Sequence, residues 1–191
     1  MKKETDNTRN AGRAFSSGAE RSHMPGLSEH LIFWPITILG LLFDLWSKNA
    51  VFNWLKNIPD STYSIIDGFL QFLIAENSGA AFGMASGKTK MLVSVSVVAL
   101  IVVLTVFFLS GRDHRLTHFG LALFTAGICG NLYDRLFNNG LVRDFIDVYR
   151  GNIHWPAFNV ADSMLCVGVF FLVLSYLLSE MPGLKRDRKQ K

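Results

Sequence analysis

Residues 91–111 run without a charged side chain and are rich in Val, Leu and Phe. A helix of that length rises about 30 Å, the thickness of the hydrocarbon core of a bilayer. Lys88 and Lys90 bound the run on one side and Arg112 on the other, so its ends fall where water begins. A chain holding such a segment is constrained to a membrane fold. Three more apolar stretches accompany it, at residues 31–46, 116–133 and 163–179. The expected architecture is therefore an all-α polytopic membrane protein with four transmembrane helices, spanning about 31–46, 91–111, 116–133 and 163–179. The first stretch is uncharged only to Phe43, so it crosses the bilayer if Asp44 lies close to the far interface. The third holds Gly120, Ala122, Ala126, Gly127 and Gly130, small residues that let helices approach closely in lipid, and should be an interior helix. The fourth is entered through Asn159 and left at Glu180, Pro182 and Gly183, which are good end signals.

Half of the 191 residues are apolar and 18% are charged, which suits one membrane domain over residues 31–180. Residues 1–30 are polar and contain no apolar run, so a disordered tail is expected there. The apolar run that follows reads as a retained signal anchor. Lys and Arg concentrate in three places: the first tail (Lys2, Lys3, Arg9, Arg13, Arg21), the Arg112 to Arg115 connection, and a basic tail at 181–191. Basic segments resist translocation, so both termini and that connection are expected in the cytoplasm, with residues 47–90 and 134–158 outside. The net charge of +4 is thus explained by orientation rather than by nucleic acid, for which no aromatic-interleaved basic face exists. Cys129 and Cys166 lie inside apolar runs and read as small packing residues.

In the first outer segment, residues 63–66 and 69–74 are β-branched and aromatic around Asp67-Gly68, the pattern of a β-hairpin lying on the membrane surface. Trp46, Trp54 and Trp155 fit an aromatic belt. The sequence has no Gly-rich phosphate loop, no His-Glu-x-x-His helix and no serine elbow, and its five histidines are scattered. No metal or other cofactor is expected.

What remains is a set of acids, amides and cations at the outer helix ends: Asp44, Lys48, Asn77, Asn131, Asp134, Arg135, Asp144, Asn159 and Asp162. Ionisable groups at such depth need a reason. Asp44 and Lys48 stand at i, i+4 and can simply pair on one helix face. Asp134 and Arg135 read equally as headgroup-level charges or as part of a site with Asn131, one turn back. Asp144 and Asp162 sit among apolar neighbours with no basic residue one turn away. Taken singly, Asp162 is a helix-start acid following Asn159, and Asp144 a polar loop residue. Brought together, two carboxylates sharing one proton would suit peptide hydrolysis, one taking a proton from water while the other polarises the carbonyl.

Five blocks then carry a family resemblance: Asp44-Leu45-Trp46-Ser47-Lys48, Asn77-Ser78-Gly79-Ala80-Ala81-Phe82, Gly130-Asn131-Leu132-Tyr133-Asp134-Arg135, Val142-Arg143-Asp144-Phe145 and Phe158-Asn159-Val160-Ala161-Asp162-Ser163. In order and in placement on four spans, they resemble the lipoprotein signal peptidases (signal peptidase II), bacterial aspartyl peptidases that cut signal peptides from prolipoproteins. The resemblance covers about residues 31–180. It implies that Asp144 and Asp162 are the catalytic dyad and that Asn77, Asn131, Arg135 and Asn159 line the substrate site, with Asp44, Lys48 and Asp134 in support. It also implies an outward β-cradle between the first two helices, lipid-modified prolipoprotein signal peptides and membrane lipids as partners, and a monomer in the bacterial inner membrane with its site at the outer face. Leu45, where the family usually has Gln, and Ala126 and Cys129, in a run usually richer in Gly, depart from the pattern. The competing reading is a non-enzymatic transporter or ion-conducting protein whose acids line a pathway. Such a protein would spread its acids through the depth of the bilayer.

Overall fold

The computed structural model describes residues 24–79, 87–111 and 115–180. The first tail up to residue 23, the block Ala80-Ala81-Phe82, Arg112 and the basic residues after Glu180 lie outside the described residues. Four long helices and one small sheet make up the rest: α1 (Leu27–Leu55), β1 (Thr62–Ile66), β2 (Leu70–Asn77), α2 (Thr89–Leu109), α3 (Arg115–Phe137), β3 (Val142–Arg150), β4 (Ile153–His154) and α4 (Val160–Glu180). The polar tail expected through residue 30 is corrected at its end, because α1 has already begun at Leu27. Glu29 makes this start possible: its carboxylate accepts the Gly26 backbone N–H at 2.8 Å and the Ser28 hydroxyl at 2.9 Å, satisfying a donor that a helix terminus would otherwise leave open.

Among the described residues, α1, α2 and α4 are long and apolar enough to cross a membrane. Helix α3 carries His118, Asn131, Asp134 and Arg135 and is less apolar, but it is the most enclosed of the four. Its Gly120, Leu121, Ala122, Ala126, Gly127, Ile128 and Gly130 are all buried, and it packs against α1, α2 and α4. A helix that faces protein on most sides can carry polar groups that lipid would reject. Conversely α2 turns Val95, Val98, Ile101 and Val102 outward, as a lipid-facing helix does. The apolar core joins Phe33, Val103, Phe107, Leu121, Ala122 and Ile128, with the rings of Phe33 and Phe107 stacked at 4.0 Å.

The small residues of α3 set its distance to α4. A methyl group built on Gly120 would stand 3.0 Å from the Gly168 carbonyl oxygen, and one on Gly127 would stand 2.6 Å from that of Ala161. Cys166 is exposed on α4 rather than packed inside, and Cys129 is half-buried.

The sheet is antiparallel with strand order β1-β2-β3-β4. Its first half is the expected hairpin. Its second half was not expected: β3 and β4 come from the segment between α3 and α4, so the cradle is shared by two connections instead of lying between the first two helices alone. Strand β2 pairs with β3 through Ala75 opposite Asp144 and Asn77 opposite Val142, with an irregularity between Phe72 and Ala75. Just before α4, Phe158 exchanges backbone hydrogen bonds with Ile146, at 2.9 and 3.0 Å. The start of α4 is thereby stitched to β3 two residues beyond Asp144.

Candidate active site

Asp144 is on a strand, which corrects the loop reading. Residues 142–150 extend along β2, and this places the buried Asp144 side chain at the junction of sheet and bundle. Asp162 lies in the first turn of α4, and the helix-start reading holds in detail. Its backbone N–H donates to Asn159 Oδ1 at 3.0 Å, and its Oδ2 accepts the Asn159 backbone N–H at 3.1 Å, a reciprocal cap. The cap consumes only one carboxylate oxygen. The other, Oδ1, accepts Asn131 Nδ2 at 2.8 Å. The helix-start role and a role in the cluster are therefore compatible.

Asn159, fully buried, joins the two acids. Its Nδ2 donates to Asp144 Oδ1 at 2.7 Å and to Asn131 Oδ1 at 3.1 Å, while its Oδ1 and backbone N–H hold Asp162 as above. Asn77 Nδ2 donates to the second oxygen of Asp144 at 3.1 Å. Asn77 is itself fixed by accepting the Gly79 N–H at 2.8 Å. Among the described residues no cation hydrogen-bonds to either acid; amides hold both, and Arg135 acts on them only through its field. Burial pushes the Asp144 carboxyl up to about 7, with the neighbouring Asp162 charge the next cause; the Asn77 and Asn159 hydrogen bonds and the more distant Lys48 charge oppose the rise. A carboxyl of that strength is part protonated at neutral pH, as general acid-base chemistry requires.

Beside this pair lies a second cluster in which every charge is compensated. Lys48 Nζ contacts Asp44 Oδ2 at 2.8 Å and Asp134 Oδ2 at 3.4 Å, with all three side chains fully enclosed. Arg143 Nη2 closes on Asp134 Oδ1 at 2.6 Å, and its Nη1 donates to Asn49. Asp134 is thus an interior ion-pair partner rather than a headgroup-level charge. Asp44 also accepts the Ala161 backbone N–H at 2.8 Å, next to Asp162. Gly130 is required there, since any side chain would collide with the Asp44 carboxylate. Lys48 also donates to Asn131 Oδ1 at 3.2 Å, linking the two clusters. Arg135 Nη2 donates to the Gly79 carbonyl at 3.0 Å, and its Nε–H is buried without a hydrogen-bond partner among the described residues.

All nine singled-out residues therefore meet at one end of the bundle. Sequence reasoning missed the ion-pair role of Arg143 and the part of Asn49, whose partners come from other elements of the chain. Acids are not confined to that end, since buried Glu29 caps the start of α1.

The family model for signal peptidase (SPase) II matches residues 36–178. The chain belongs to the signal peptidase II family. It is thereby an aspartic-type peptidase of the membrane, and the transporter reading falls. Lipoprotein signal peptidases similar to it include that of Geobacter sulfurreducens, 43% identical over 155 residues that cover 78% of this chain and 93% of that protein. That of Rhodopirellula baltica is 37% identical over 177 residues, covering 84% of this chain and 78% of its own length. A bacterial membrane enzyme solved in meso at 2.3 Å resolution superposes with a TM-score of 0.67 at 26% identity, covering 81% of this chain and 92% of that one. Leu45, Ala126 and Cys129, the departures from the family pattern, all lie within the matched segment. None of them is a polar partner in either cluster.

Proposed function

We propose that this chain removes signal peptides from prolipoproteins by cutting immediately before a cysteine that carries a diacylglyceryl group, with Asp144 and Asp162 as the catalytic dyad. The observation that carries the reading is the bridge made by Asn159, which bonds both acids, neither of which forms an ion pair among the described residues. With Asp144 part protonated near neutral pH, the pair can offer one protonated and one ionised member. The ionised member takes a proton from water, the water oxygen bonds the scissile carbonyl carbon, and the protonated member donates to the carbonyl oxygen. Collapse of the tetrahedral intermediate breaks the C–N bond, and a dyad proton passes to the departing amine.

A signal peptide in lipid satisfies its backbone internally, so local unwinding must expose the scissile carbonyl among polar protein groups. Asn77 and the open Nε–H of Arg135 are suited to receive those groups, with Asn131 and Asn159 behind them. Asp44, Lys48 and Asp134 support the walls. The polytopic reading extends to four spans, with α3 crossing inside the shelter of its three neighbours, both termini cytoplasmic, the sheet and dyad at the outer face, and the chain acting as a monomer among membrane lipids. Acyl chains anchored in the outer leaflet would hold the modified cysteine at headgroup depth, each buried CH₂ contributing about 0.8 kcal/mol. The test is the cleavage rate of matched precursors with and without the diacylglyceryl group, where the lipidated one should be cut at least about tenfold faster. Equal rates would remove the substrate assignment.

A further inference from the structure

We propose that Lys48 is a positioning residue for the dyad: held between Asp44 and Asp134, it donates to Asn131 Oδ1 and so orients the Asn131 amide with its Nδ2 on Asp162. The inference rests on the functional reading above and assigns a task within it.

An asparagine amide has nearly the same shape after a half-turn, so its neighbours decide which end faces which partner. Asn131 Oδ1 receives Lys48 Nζ at 3.2 Å and Asn159 Nδ2 at 3.1 Å, and Asn131 Nδ2 donates to Asp162 Oδ1 at 2.8 Å. Turned over, the amide would set its oxygen against the Asp162 carboxylate and its NH₂ against an ammonium that can only donate. Lys48 has three N–H bonds and faces three acceptors, on Asp44, Asp134 and Asn131. Its side chain is fully enclosed, so no water competes for them.

The charges balance without drawing on the dyad. Lys48 and Arg143 offset Asp44 and Asp134, which leaves Asp144 and Asp162 free to share their proton. The charged groups around that pair are Asp44 and Lys48 from α1, Asp134 and Arg135 from α3, and Arg143 from β3, while β2 contributes the uncharged Asn77. Lys48 acts on the dyad in two ways: through the Asn131 amide, and through its field, which favours ionised Asp144. Removing it should slow turnover and raise the pH at which the dyad loses its proton.

The experiment uses the full chain in lipid-containing detergent and a diacylglyceryl-modified precursor. Lys48→Met alone leaves Asp44 uncompensated, so the informative variant is D44N/K48M, which keeps Asp134 paired with Arg143 and an amide oxygen for the Ala161 N–H. The expected result is a folded protein by thermal melting, kcat lowered by at least about fivefold and KM within about threefold of wild type. Because the Asp44 and Lys48 charges leave together, the alkaline limb should move to higher pH through loss of the Asn131 N–H that steadies the ionised dyad. A smaller loss of kcat, an unmoved alkaline limb, or loss of the folded transition would overturn the proposal, the last by making Lys48 a purely structural residue. An active wild type with an unaltered double variant sinks this inference alone. A wild type inactive on that precursor sinks the functional reading with it.

Discussion

Two pairs of acids sit side by side at one end of this bundle, and they are treated in opposite ways. Asp44 and Asp134 are enclosed with Lys48 and Arg143, each carboxylate held in place by a cation. Asp144 and Asp162 are held by Asn77, Asn131 and Asn159, neutral groups that place a carboxyl without compensating its charge. The same residue type thus serves as mortar in one cluster and, in the function proposed above, as a proton carrier in the other. What decides is whether the partner is a cation or an amide.

The comparison breaks most visibly by removing the acids of the proposed dyad. Asp144→Asn or Asp162→Asn should each lower kcat by at least about 10³-fold while the protein still melts cooperatively, because Asn keeps the shape but cannot exchange a proton. Near-wild-type turnover in either variant would return that residue to a structural role. Asp134→Ala should do the converse, destabilising the fold by about 3–5 kcal/mol because Lys48 and Arg143 lose a buried partner. A thermal midpoint unchanged from wild type would show the ion-pair cluster to be dispensable.

Smaller changes sharpen the contrast. Gly127→Ala should slow cleavage by about tenfold with modest loss of stability, since the added methyl meets the Ala161 carbonyl and shifts the start of α4 away from Asn131. A rate equal to wild type would mean that the spacing of α3 and α4 does not control the dyad. The smallest expected effect is in pH dependence. With Asp144 pushed up to about 7, the rate should decline as pH rises through that value. Its contribution to stability has the same sign: full below the unfolded carboxyl's value of about 3.9 and lost as pH rises to about 7. Asn77→Ala removes a hydrogen bond that opposes this rise, so the alkaline limb should move up by a fraction of a unit. A downward move would contradict the assignment of that bond.

Much of this was legible in the sequence because it is local. Apolar length marked the helices, the hairpin was marked by Asp67-Gly68, and the cap of α4 by Asn159 and Asp162. The close approach expected of Gly120, Gly127 and Gly130 is present at all three. What could not be read was non-local. Strand β3 holds buried acids at Asp144 and Asp147, an odd spacing that hides the two-residue period of a half-buried strand. Its partner β2 lies on the far side of two whole helices in the chain. The burial of Asp134 is equally invisible, because its partners Lys48 and Arg143 come from α1 and β3. Helix α1 continues well past the uncharged stretch because Asp44 and Lys48 point into the bundle instead of stopping at an interface.

Asn159 has a consequence for how freely this chain can vary. Its side chain must offer two N–H bonds in one direction and an accepting oxygen in another, on a planar arm of fixed length. Among the replacements that a single base change can reach, Asp accepts but cannot donate, Lys donates but brings a charge, and Ser is too short to bridge from Asp144 to Asn131. A population of such chains would find almost no neutral path through that codon, while the exposed faces of α2 and α4 could drift among apolar residues at little cost.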